Sequence, residues 1–452
     1  MNAQIISVSK RPATLADVPA AVSIVTAEDI QRSGVTTIPD ALRLVPGVNV
    51  AQADSNSWAV SIRGFNSVLA NKLLVMIDGR TIYNPVFGGT FWEAHDLVME
   101  DIERIEVVRG PGGTLWGANA VNGVINIITK RAQDTQGNLV STLYGNEEKG
   151  TLSMRHGGSF AEDGYYRLYA KGFNRDSFKD PDGGDAYDEW DGYRTGFRVD
   201  RGENFTLQGD VYRLQENQFR NESFLVAPVS ILRRQHLKYE GANLLGRWQG
   251  KRDDGSSVSV QTYLDWTRRN EPYNFVDNRT IFDIEAQYNW PIMGRHEIIG
   301  GAGYRFAADN EEITRNTSFD PLGRRDSLYS AFIQDKIELA PDRWYLTLGS
   351  KFEHNEYSGF EIQPSARLQY QPDDHQTWWA AVSRAVRTPT PIEEDLTSTL
   401  ATAVNVRAAF VPNDDFKSEV LNAYELGYRN QITPTLSADV ATFFNVYDHL
   451  ET

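Results

Sequence analysis

Residues 102–130 read IERIEVVRGPGGTLWGANAVNGVINIITK, and this stretch decides the fold. Two apolar runs in it, Ile105–Val108 and Val124–Ile128, have the length and the flanking glycines of buried strands. The glycines between them allow positive φ and close backbone approach, so the segment can fold tightly in a confined space. A phosphate-binding loop is the alternative, but no Gly-Lys-Ser/Thr ending is present, and a strand follows instead of a helix.

The residues before this stretch have the pattern of a small mixed α/β domain. Thr26, followed three positions later by an aspartate, predicts a capped short helix that ends at Gly34. The same spacing at Thr37 predicts a second helix. Leu73–Ile77 is a further apolar run with the length of a buried strand.

From about residue 137 onward, apolar and polar residues alternate. Residues 344–353 and 436–446 each have one mostly apolar face and one mostly polar face. Such strands suit a wall with lipid on one side and water on the other, so the pattern predicts an antiparallel transmembrane β-barrel. A soluble up-and-down barrel or a propeller also alternates in this way and remains the alternative fold.

The connections between these strands alternate between short and long, as in barrels with short periplasmic turns and long external loops. The short turns are expected at 161–164, 201–204, 249–255, 291–295, 340–343, 371–376 and 431–435, and the longer loops at 174–192, 214–237, 267–279, 307–326 and 387–417. The sequence contains roughly fifteen such strands, whereas plugged outer-membrane transporters have about twenty-two, so we expect a C-terminally truncated barrel.

Composition narrows the classes of function. The formal net charge of -16 works against wrapping a phosphate backbone, so we expect no nucleic-acid partner. No apolar run approaches the length of a spanning helix, whereas an aromatic content of 11% suits girdles at two membrane interfaces. The chain has no Cys, which excludes thiolate metal sites. Met1 is followed by no basic or apolar leader, so we expect the signal peptide to be absent from this chain.

Four segments resemble the plug and barrel motifs of TonB-dependent receptors in their order and spacing. They are SIRGF at 61–65, VMIDGR at 75–80, the run at 102–130 and YELGY at 424–428. The resemblance covers essentially the whole chain. It implies a mainly β fold with a TonB-box-like segment at 1–10, an α/β plug domain at 11–131 inside the lumen, and a partial β-barrel at 135–452.

In this family, plug arginines meet glutamates of the barrel wall. Glu425 lies on the strand face opposite Tyr424 and Leu426, so it is expected to point into the lumen. The resemblance therefore implies a plug-to-barrel lock of Arg63 and Arg109 with Glu425, charge-assisted and bidentate. The alternative is that both arginines pair only within the plug.

The N-terminal segment resembles a TonB box loosely, because it departs from the usual acidic-Thr-Val-Val pattern. An extended segment rich in β-branched residues can add as a strand to the sheet edge of a partner. The alternative is a first strand of the plug. The residues expected to contact TonB are Ile5, Ile6, Ser7, Val8 and Ser9.

The resemblance places the ligand outside, on plug loops equivalent to 52–58 and 80–92. Aromatic side chains there can stack on flat groups of a chelate. They also suit the core of the plug or its contact with the wall. The expected binding floor consists of Trp58, Tyr83, Phe87, Phe91 and Trp92.

The resemblance favours a ferric siderophore as the ligand, since this is the commonest class in the family. A haem receptor of this type carries a loop His that residues 388–416 lack. Cobalamin is the alternative, because Asp180, Asp182 and Asp185 crowd one external loop and could bind Ca²⁺. A solvated acidic loop is the simpler explanation of these residues, so no cofactor and no metal site is assigned.

The expected function is import of the chelate into the periplasm, without chemistry on the substrate. The expected partners are the TonB energy-transducing complex, the metal chelate and outer-membrane lipid. An outer-membrane enzyme is disfavoured, because no Gly-x-Ser-x-Gly or HExxH motif occurs. A non-transporting adhesive barrel, or a truncated chain without transport of its own, remains an alternative.

Overall fold

The computed structural model describes residues 4–224, 230–272, 275–314, 316–403, 406–413 and 415–450. Among the helices of these residues, none has both the length and the apolar character needed to span a bilayer.

The N-terminal region folds around a five-stranded mixed sheet. Its strand order is β3-β8-β9-β6-β7, with β6 parallel to β9 and the other pairs antiparallel. Two small two-stranded sheets, β1-β2 and β4-β5, flank it. The elements are β1 Gln4–Ile5, β2 Ala13–Thr14, β3 Ala21–Thr26, α1 Ala27–Ser33, α2 Ile38–Leu42, β4 Val48–Asp54, β5 Ser57–Ile62, β6 Leu73–Ile77, β7 Arg80–Thr81, β8 Ile102–Arg109, α3 Gly113–Trp116 and β9 Gly123–Thr129, with 3-10 turns at Leu15–Asp17, Trp92–His95, Met99–Asp101 and Ala132–Thr135.

Local sequence sets the helix ends. At α1 the Thr26 hydroxyl accepts from the Asp29 backbone N–H, and the Asp29 carboxylate accepts from the Thr26 N–H, which completes the predicted capping box. Gly34 ends the helix with φ of 70°, a left-handed conformation that costs glycine little. The helix predicted at Thr37 also forms, and β6 has the bounds that the apolar run predicts.

The remainder of the chain forms one antiparallel sheet of fifteen strands among the described residues. Its order is that of the sequence from β10 to β27, with β19, β24 and β25 set apart in a small external sheet. The strands and the one helix among them are β10 Gly137–Leu143, β11 Glu148–Phe160, β12 Gly164–Arg175, β13 Trp190–Arg201, β14 Phe205–Ser223, β15 Ser230–Lys251, β16 Ser257–Glu271, β17 Phe275–Asn289, β18 His296–Glu311, β19 Thr317–Phe319, β20 Arg325–Ala340, β21 Trp344–Asn355, β22 Gly359–Asp373, β23 Gln376–Arg387, α4 Pro391–Glu394, β24 Leu396–Ala403, β25 Val406–Phe410, β26 Glu419–Thr433 and β27 Leu436–Asp448.

The two faces of the sheet differ as the alternation predicts. On β26, Tyr424 and Leu426 are 49% and 62% exposed on the outer face, while Glu425 and Arg429 are buried on the inner face. Apolar side chains cover the outer face, and tryptophans are exposed near the rim with the short turns. These tryptophans are Trp248, Trp290, Trp344 and Trp378. This arrangement is typical of a lipid-facing wall with an aromatic girdle.

The short turns lie where they are predicted, between strands that end within one or two residues of the expected positions. Two expected loops, at 214–237 and 267–279, are wrong over most of their length. Strands β14 and β15 pair from Phe205–Trp248 to Ser223–Ser230, and β16 and β17 pair out to Glu271–Phe275. Polar residues at the outer ends of these strands still complete the backbone ladder, so polarity there does not mark a loop. Residues 225–229, 273 and 274 lie outside the described residues.

The N-terminal region sits against the inner face of this sheet. Its main hydrophobic cluster combines plug residues such as Ile105 and Ile125 with the wall residues Phe173, Trp190 and Tyr239. A second cluster joins Ile5 of the N-terminal segment to Val22, Leu74 and Val124 of the plug. The apolar core of the plug therefore continues into the wall, and three smaller apolar clusters, around Trp379, Phe332 and Leu421, also join the plug to the wall.

Candidate functional site

Plug carboxylates meet wall cations on strands β11 to β15, a region that we call the acidic sector. The Asp78 carboxylate accepts from the Thr129 N–H at 2.9 Å and from Gln208 Nε2 at 2.9 Å, and Arg198 lies at 3.7 Å. Burial by itself raises the pKa of Asp78, but Arg198 and the donors outweigh burial and lower it. Asp78 therefore stays ionised inside the protein.

Two further aspartates complete the acidic sector, each between two wall cations. Asp96 lies 2.9 Å from Lys171 Nζ and 3.4 Å from Arg175 Nη2. Asp101 pairs with Arg155 and Arg167 on the neighbouring strands. All the carboxylates and cations of this sector are at least nine-tenths buried at the side chain, except Arg155, which is 12% exposed.

The polarity is reversed on the other side of the plug, in a region that we call the basic sector. There plug cations meet wall carboxylates on β16, β17 and β26, although the plug carboxylate Glu93 also pairs with Arg269 on β16. The pairs are Lys10 with Glu285, Arg63 with Glu425, Lys72 with Glu419, and Arg80 with Asp265. The interface is thus complementary in charge on both sides, with opposite sign.

The expected lock forms in part. Arg63 Nη2 lies 2.6 Å from Glu425 Oε1, and both side chains are buried. Arg109 does not join through its guanidinium: the backbone carbonyl of Arg109 accepts from Arg63 at 2.9 Å, while its own Nη1 donates to the Pro46 carbonyl at 3.0 Å. The expectation of an Arg109–Glu425 ion pair is therefore wrong. Side-chain direction at a turn depends on the fold around it, which the motif does not encode.

Two glycines of the 102–130 run explain how wall carboxylates reach the plug. A Cβ on Gly117 would lie 2.1 Å from Glu353 Oε1, and one on Gly110 would lie 2.6 Å from Glu425 Oε1. The space that the missing side chains leave lets Glu353 accept from the Ala118 N–H at 2.7 Å. Sequence reasoning predicted close backbone approach here, but did not find Glu353.

The N-terminal segment is held inside the lumen. The Glu106 carboxylate accepts from the backbone N–H groups of Ile6 and Ser7, at 3.0 and 2.9 Å, and from the Ser7 hydroxyl at 2.6 Å. Trp116 Nε1 donates to the Ser7 carbonyl at 2.7 Å. Ile5 and Ser7 are 1% and 2% exposed, so the residues expected to contact TonB are occupied by the plug.

This segment also pairs with itself, since Gln4–Ile5 and Ala13–Thr14 form the β1-β2 hairpin. A first plug strand was the alternative to a TonB-box-like segment, and the hairpin has that character. Arg429 of β26 holds the next residues, donating to the carbonyls of Leu15 and Ala20. Sequence reasoning did not identify Glu106 or Arg429, because each of these residues is far in the sequence from the residues that it binds.

The expected aromatic binding floor is mostly core. Trp58, Phe87 and Trp92 are 4%, 4% and 6% exposed. Trp58 packs edge-on against Trp190 of the wall at 5.9 Å between ring centroids. Phe91 stacks on the Arg269 guanidinium at 4.0 Å. These rings offer no open surface to a ligand, so the floor must be corrected; the physical reason is that apolar rings at this interface are more stable out of water.

The two plug loops that carry those rings are docked on the wall. Asn84 Nδ2 donates to Asp277 at 3.1 Å, and Asn84 Oδ1 accepts from Arg279 at 3.0 Å. The Val86 carbonyl accepts from the Ile392 N–H at 3.1 Å, which joins the plug to the long external connection. In the other loop, the Ser55 N–H donates to Asp188 at 2.7 Å.

A third plug loop, residues 64–70, is the exposed one. Phe65, Val68 and Leu69 are 44%, 45% and 49% exposed. Arg63 and Phe65, with φ of 59° each, turn the chain sharply at its start. The loop lies beside the outer ends of β26 and β27, where Phe65 packs against Tyr447 at 5.1 Å. The polar residues beside Phe65 in the sequence, Asn66 and Ser67, did not indicate that this loop is exposed.

A cavity of about 640 Å³ lies between the plug and strands β14 to β21. Tyr83 lines it and is the one member of the expected floor that does so. The cavity is mixed in character, with several arginines and carboxylates facing it, among them Arg247, Arg305 and Asp283.

The acidic external loop does not gather its carboxylates around one point. Asp180 accepts from the N–H groups of Asp182 and Gly184, at 3.0 and 2.7 Å, and Asp185 pairs with Lys179. Across the part of the chain that the structure describes, no group of three or more His, Cys, Asp or Glu is arranged to hold a metal ion. The weak Ca²⁺ candidates are thus not supported as a site.

Two family models match the chain. The model described as the TonB-dependent receptor plug domain matches residues 14–124, and the one described as the TonB-dependent receptor-like β-barrel matches residues 130–450. The chain belongs to the TonB-dependent receptor family. It is therefore an outer-membrane protein, and the family is one of receptors and not of enzymes.

Individual relatives differ in ligand. The vitamin B12 transporter BtuB of Vibrio vulnificus is 34% identical over 38% of this chain and 28% of its own length. The ferric enterobactin receptor of Pseudomonas aeruginosa is 26% identical over 81% of this chain and 59% of its own length. A solved structure of a variant of that receptor in complex with enterobactin has a TM-score of 0.76 at 20% identity, covering 95% of this chain and 72% of its own. The chain thus spans between about a quarter and three fifths of these curated relatives.

Proposed function

We propose that this TonB-dependent receptor binds a ferric siderophore at the outer surface and imports it into the periplasm, driven by the TonB energy-transducing complex of the inner membrane. The observation that carries the proposal is the N-terminal segment on Glu106 inside the lumen. This contact connects the N-terminal segment, which a periplasmic partner can bind, to the plug domain that fills the lumen. Force on this segment would act directly on the plug.

The comparisons favour a ferric siderophore over cobalamin, because the likeness to a siderophore receptor covers more of this chain. The likeness to the ferric enterobactin receptor extends over four fifths of this chain, whereas the likeness to the vitamin B12 transporter covers 38% of it. Cobalamin remains the second candidate because the identity is higher over that shorter stretch, at 34%.

We assign the ligand contact to the exposed loop 64–70 together with Tyr83 at the cavity. Phe65, Val68 and Leu69 present apolar surface beside Lys72, whose Nζ lies 4.8 Å from the Phe65 ring centroid. An exposed aromatic ring with apolar neighbours suits stacking on a flat group of a chelate, while the charge of Lys72 is paired with Glu419.

We assign partner contact to Ile5–Ser9 by strand addition. Because Glu106 and Trp116 hold this stretch, it has to leave the lumen before a partner's sheet edge can pair with it.

The test is uptake of radiolabelled ferric enterobactin and radiolabelled cyanocobalamin by cells whose only receptor of this family is the protein. We expect iron uptake that stops when an uncoupler collapses the proton gradient or when residues 1–10 are deleted. Phe65→Ala should raise the half-saturating concentration about tenfold, while Leu44→Ala, an equally exposed plug residue elsewhere, should not.

Cobalamin uptake without iron uptake would establish the second candidate. Cell adhesion or surface binding with no uptake of either compound would overturn import and leave a non-transporting barrel. Uptake that persists with the uncoupler or without residues 1–10 would overturn the role of TonB.

A further inference from the structure

The cavity beside the plug reaches both rims of the wall. At the outer end it is lined by Thr388 and Thr390 of the long external connection and by Gly88 of the plug. At the inner end it is lined by Asn204 and Ser257, which adjoin short turns. One continuous cavity therefore follows the wall over its full height, on the side of strands β14 to β21.

Two consecutive cations of the N-terminal segment lie across the inner end of this cavity. Lys10 Nζ spans the gap from the segment to Glu285 on β17, at 2.5 Å, and lies over the Trp116 and Phe332 rings at 4.6 and 4.7 Å. Arg11 Nη2 reaches Glu297 on β18 at 2.5 Å. The Lys10 backbone adds a third link, because its carbonyl accepts from Gln287 at 3.1 Å.

We infer that this cavity is a preformed side passage for small polar solutes, and that Lys10 and Arg11 are its periplasmic gate. Withdrawal of the N-terminal segment opens the passage while the plug core stays docked. The cavity has a volume of about 640 Å³, many times the space that one water molecule occupies, so it can hold water and small solutes. This is a conduit distinct from chelate import, and it requires neither a bound chelate nor an energised partner.

The charges of the side chains that line the passage determine whether it admits cations or anions faster when it is open. Nine cationic and eight acidic side chains line the cavity, so the closed state has no strong net field. Removal of Lys10 and Arg11 leaves seven cations against eight acids and takes from Glu285 its nearest cation, while Lys351 remains at 4.0 Å. The open passage should therefore admit small cations faster than anions of the same size.

The absence of cysteine makes a clean labelling experiment possible. Ser257→Cys places a thiol at the inner end of the passage. The protein is reconstituted in liposomes, and a small cationic or anionic methanethiosulfonate is added outside only. Ser67→Cys, on the exposed plug loop, measures the fraction of molecules with the external side outward. Labelling is compared in the original background and with Lys10→Ala and Arg11→Ala combined.

We expect the double substitution to speed labelling of Ser257→Cys at least tenfold, and the cationic reagent to react several times faster than the anionic one. Lys251→Ala is the matched control, since Lys251 also lines the inner end but its side chain is 82% exposed and bridges no gap. Lys10→Arg, which keeps the bridge, should stay slow.

Equal labelling in all backgrounds, whether fast or slow, would overturn the inference. A thiol at Ser365→Cys, buried on the inner face of β22 away from the cavity, reports displacement of the plug. If that thiol also becomes reactive in the double variant, the plug has moved as a whole and there is no side passage. Since no chelate, partner or energy enters the measurement, its failure would leave the import proposal standing, and the reverse also holds.

Discussion

The acidic and the basic sectors of the plug–wall interface differ in how many groups meet each plug charge. In the acidic sector, Asp78, Asp96 and Asp101 each have at least two wall partners. In the basic sector, Lys10 and Arg63 each pair with one wall carboxylate among the residues that the structure describes.

The difference shows which part of the plug is anchored and which part is releasable. Losing one member of a convergent cluster leaves several buried charges uncompensated, and such losses are costly. A single pair can separate once both members gain water. The acidic sector adjoins the connection at residues 129–137, whereas the basic sector holds the N-terminal segment. A plug built in this way can release one end while the other end remains fixed.

The largest expected effect is at Asp78. Asp78→Asn keeps the shape and tolerates the φ of 51° at this position, but removes the charge that Arg198 faces. We expect the free energy of plug unfolding to fall by about 3–5 kcal/mol. A buried reporter thiol, Ser61→Cys, measures this as its labelling rate against urea concentration. Glu28→Gln, an exposed pair with Arg32, should change the same quantity by less than about 0.5 kcal/mol. Equal effects would remove the distinction between anchored and exposed charges.

The second effect separates the two arginines of the lock. Arg63→Ala leaves Glu425 buried without its partner and should cost about 2–3 kcal/mol with the same reporter. Arg109→Ala loses one hydrogen bond to a carbonyl and should cost about 1 kcal/mol. The exchanged pair Arg63→Glu with Glu425→Arg should recover part of the loss. An Arg109 effect as large as that of Arg63 would contradict the geometry.

The third effect concerns the releasable end. Glu106→Ala removes the acceptor of the Ile6 and Ser7 N–H groups and should weaken the hold on the segment by about 2 kcal/mol. Labelling of a thiol at Val8→Cys from the periplasmic side should then rise more than tenfold. Glu103→Ala is the matched control, because Glu103 is a half-exposed neighbour that binds only Arg104 among the described contacts. An unchanged rate would show that Glu106 does not hold the segment.

The smallest effect is a dependence on pH at the acidic sector. Burial, and then the charges of Arg80 and Arg194, hold the pKa of His95 well below its ordinary value. Below about pH 6.5 the unfolded chain binds a proton there that the folded plug does not, so stability falls as pH decreases. At pH 5.5 the loss should be about 1.4 kcal/mol relative to pH 7.5. His95→Gln should lack this component of the slope when the urea titration is repeated at both pH values.

Much of the fold could be predicted because its causes are local. The capping box at Thr26, the apolar run at 73–77 and the alternation along β26 each depend on residues close together in the chain. The inward direction of Glu425 follows from the same alternation and is confirmed. The outer ends of β14 to β17 could not be predicted, because a polar strand and a polar loop have similar compositions.

The candidate site was less predictable, since it depends on pairs that are far apart in the sequence. Glu106 meets Ser7 across ninety-nine residues, and Arg63 meets Glu425 across three hundred and sixty-two. Sequence motifs indicated Arg63 and Glu425 but not the different role of Arg109. The aromatic residues at 58 and 92 were expected to form a binding floor, but they are buried, and their burial depends on wall residues such as Trp190.

By itself the sequence determined the kind of protein: a glycine-rich plug followed by strands with one apolar and one polar face, because hydrophobic periodicity and backbone permissiveness are properties of short stretches. Only the tertiary structure decided which charges pair, which rings are buried and where a cavity remains. Those outcomes depend on the distances between two surfaces that the chain brings together from opposite ends.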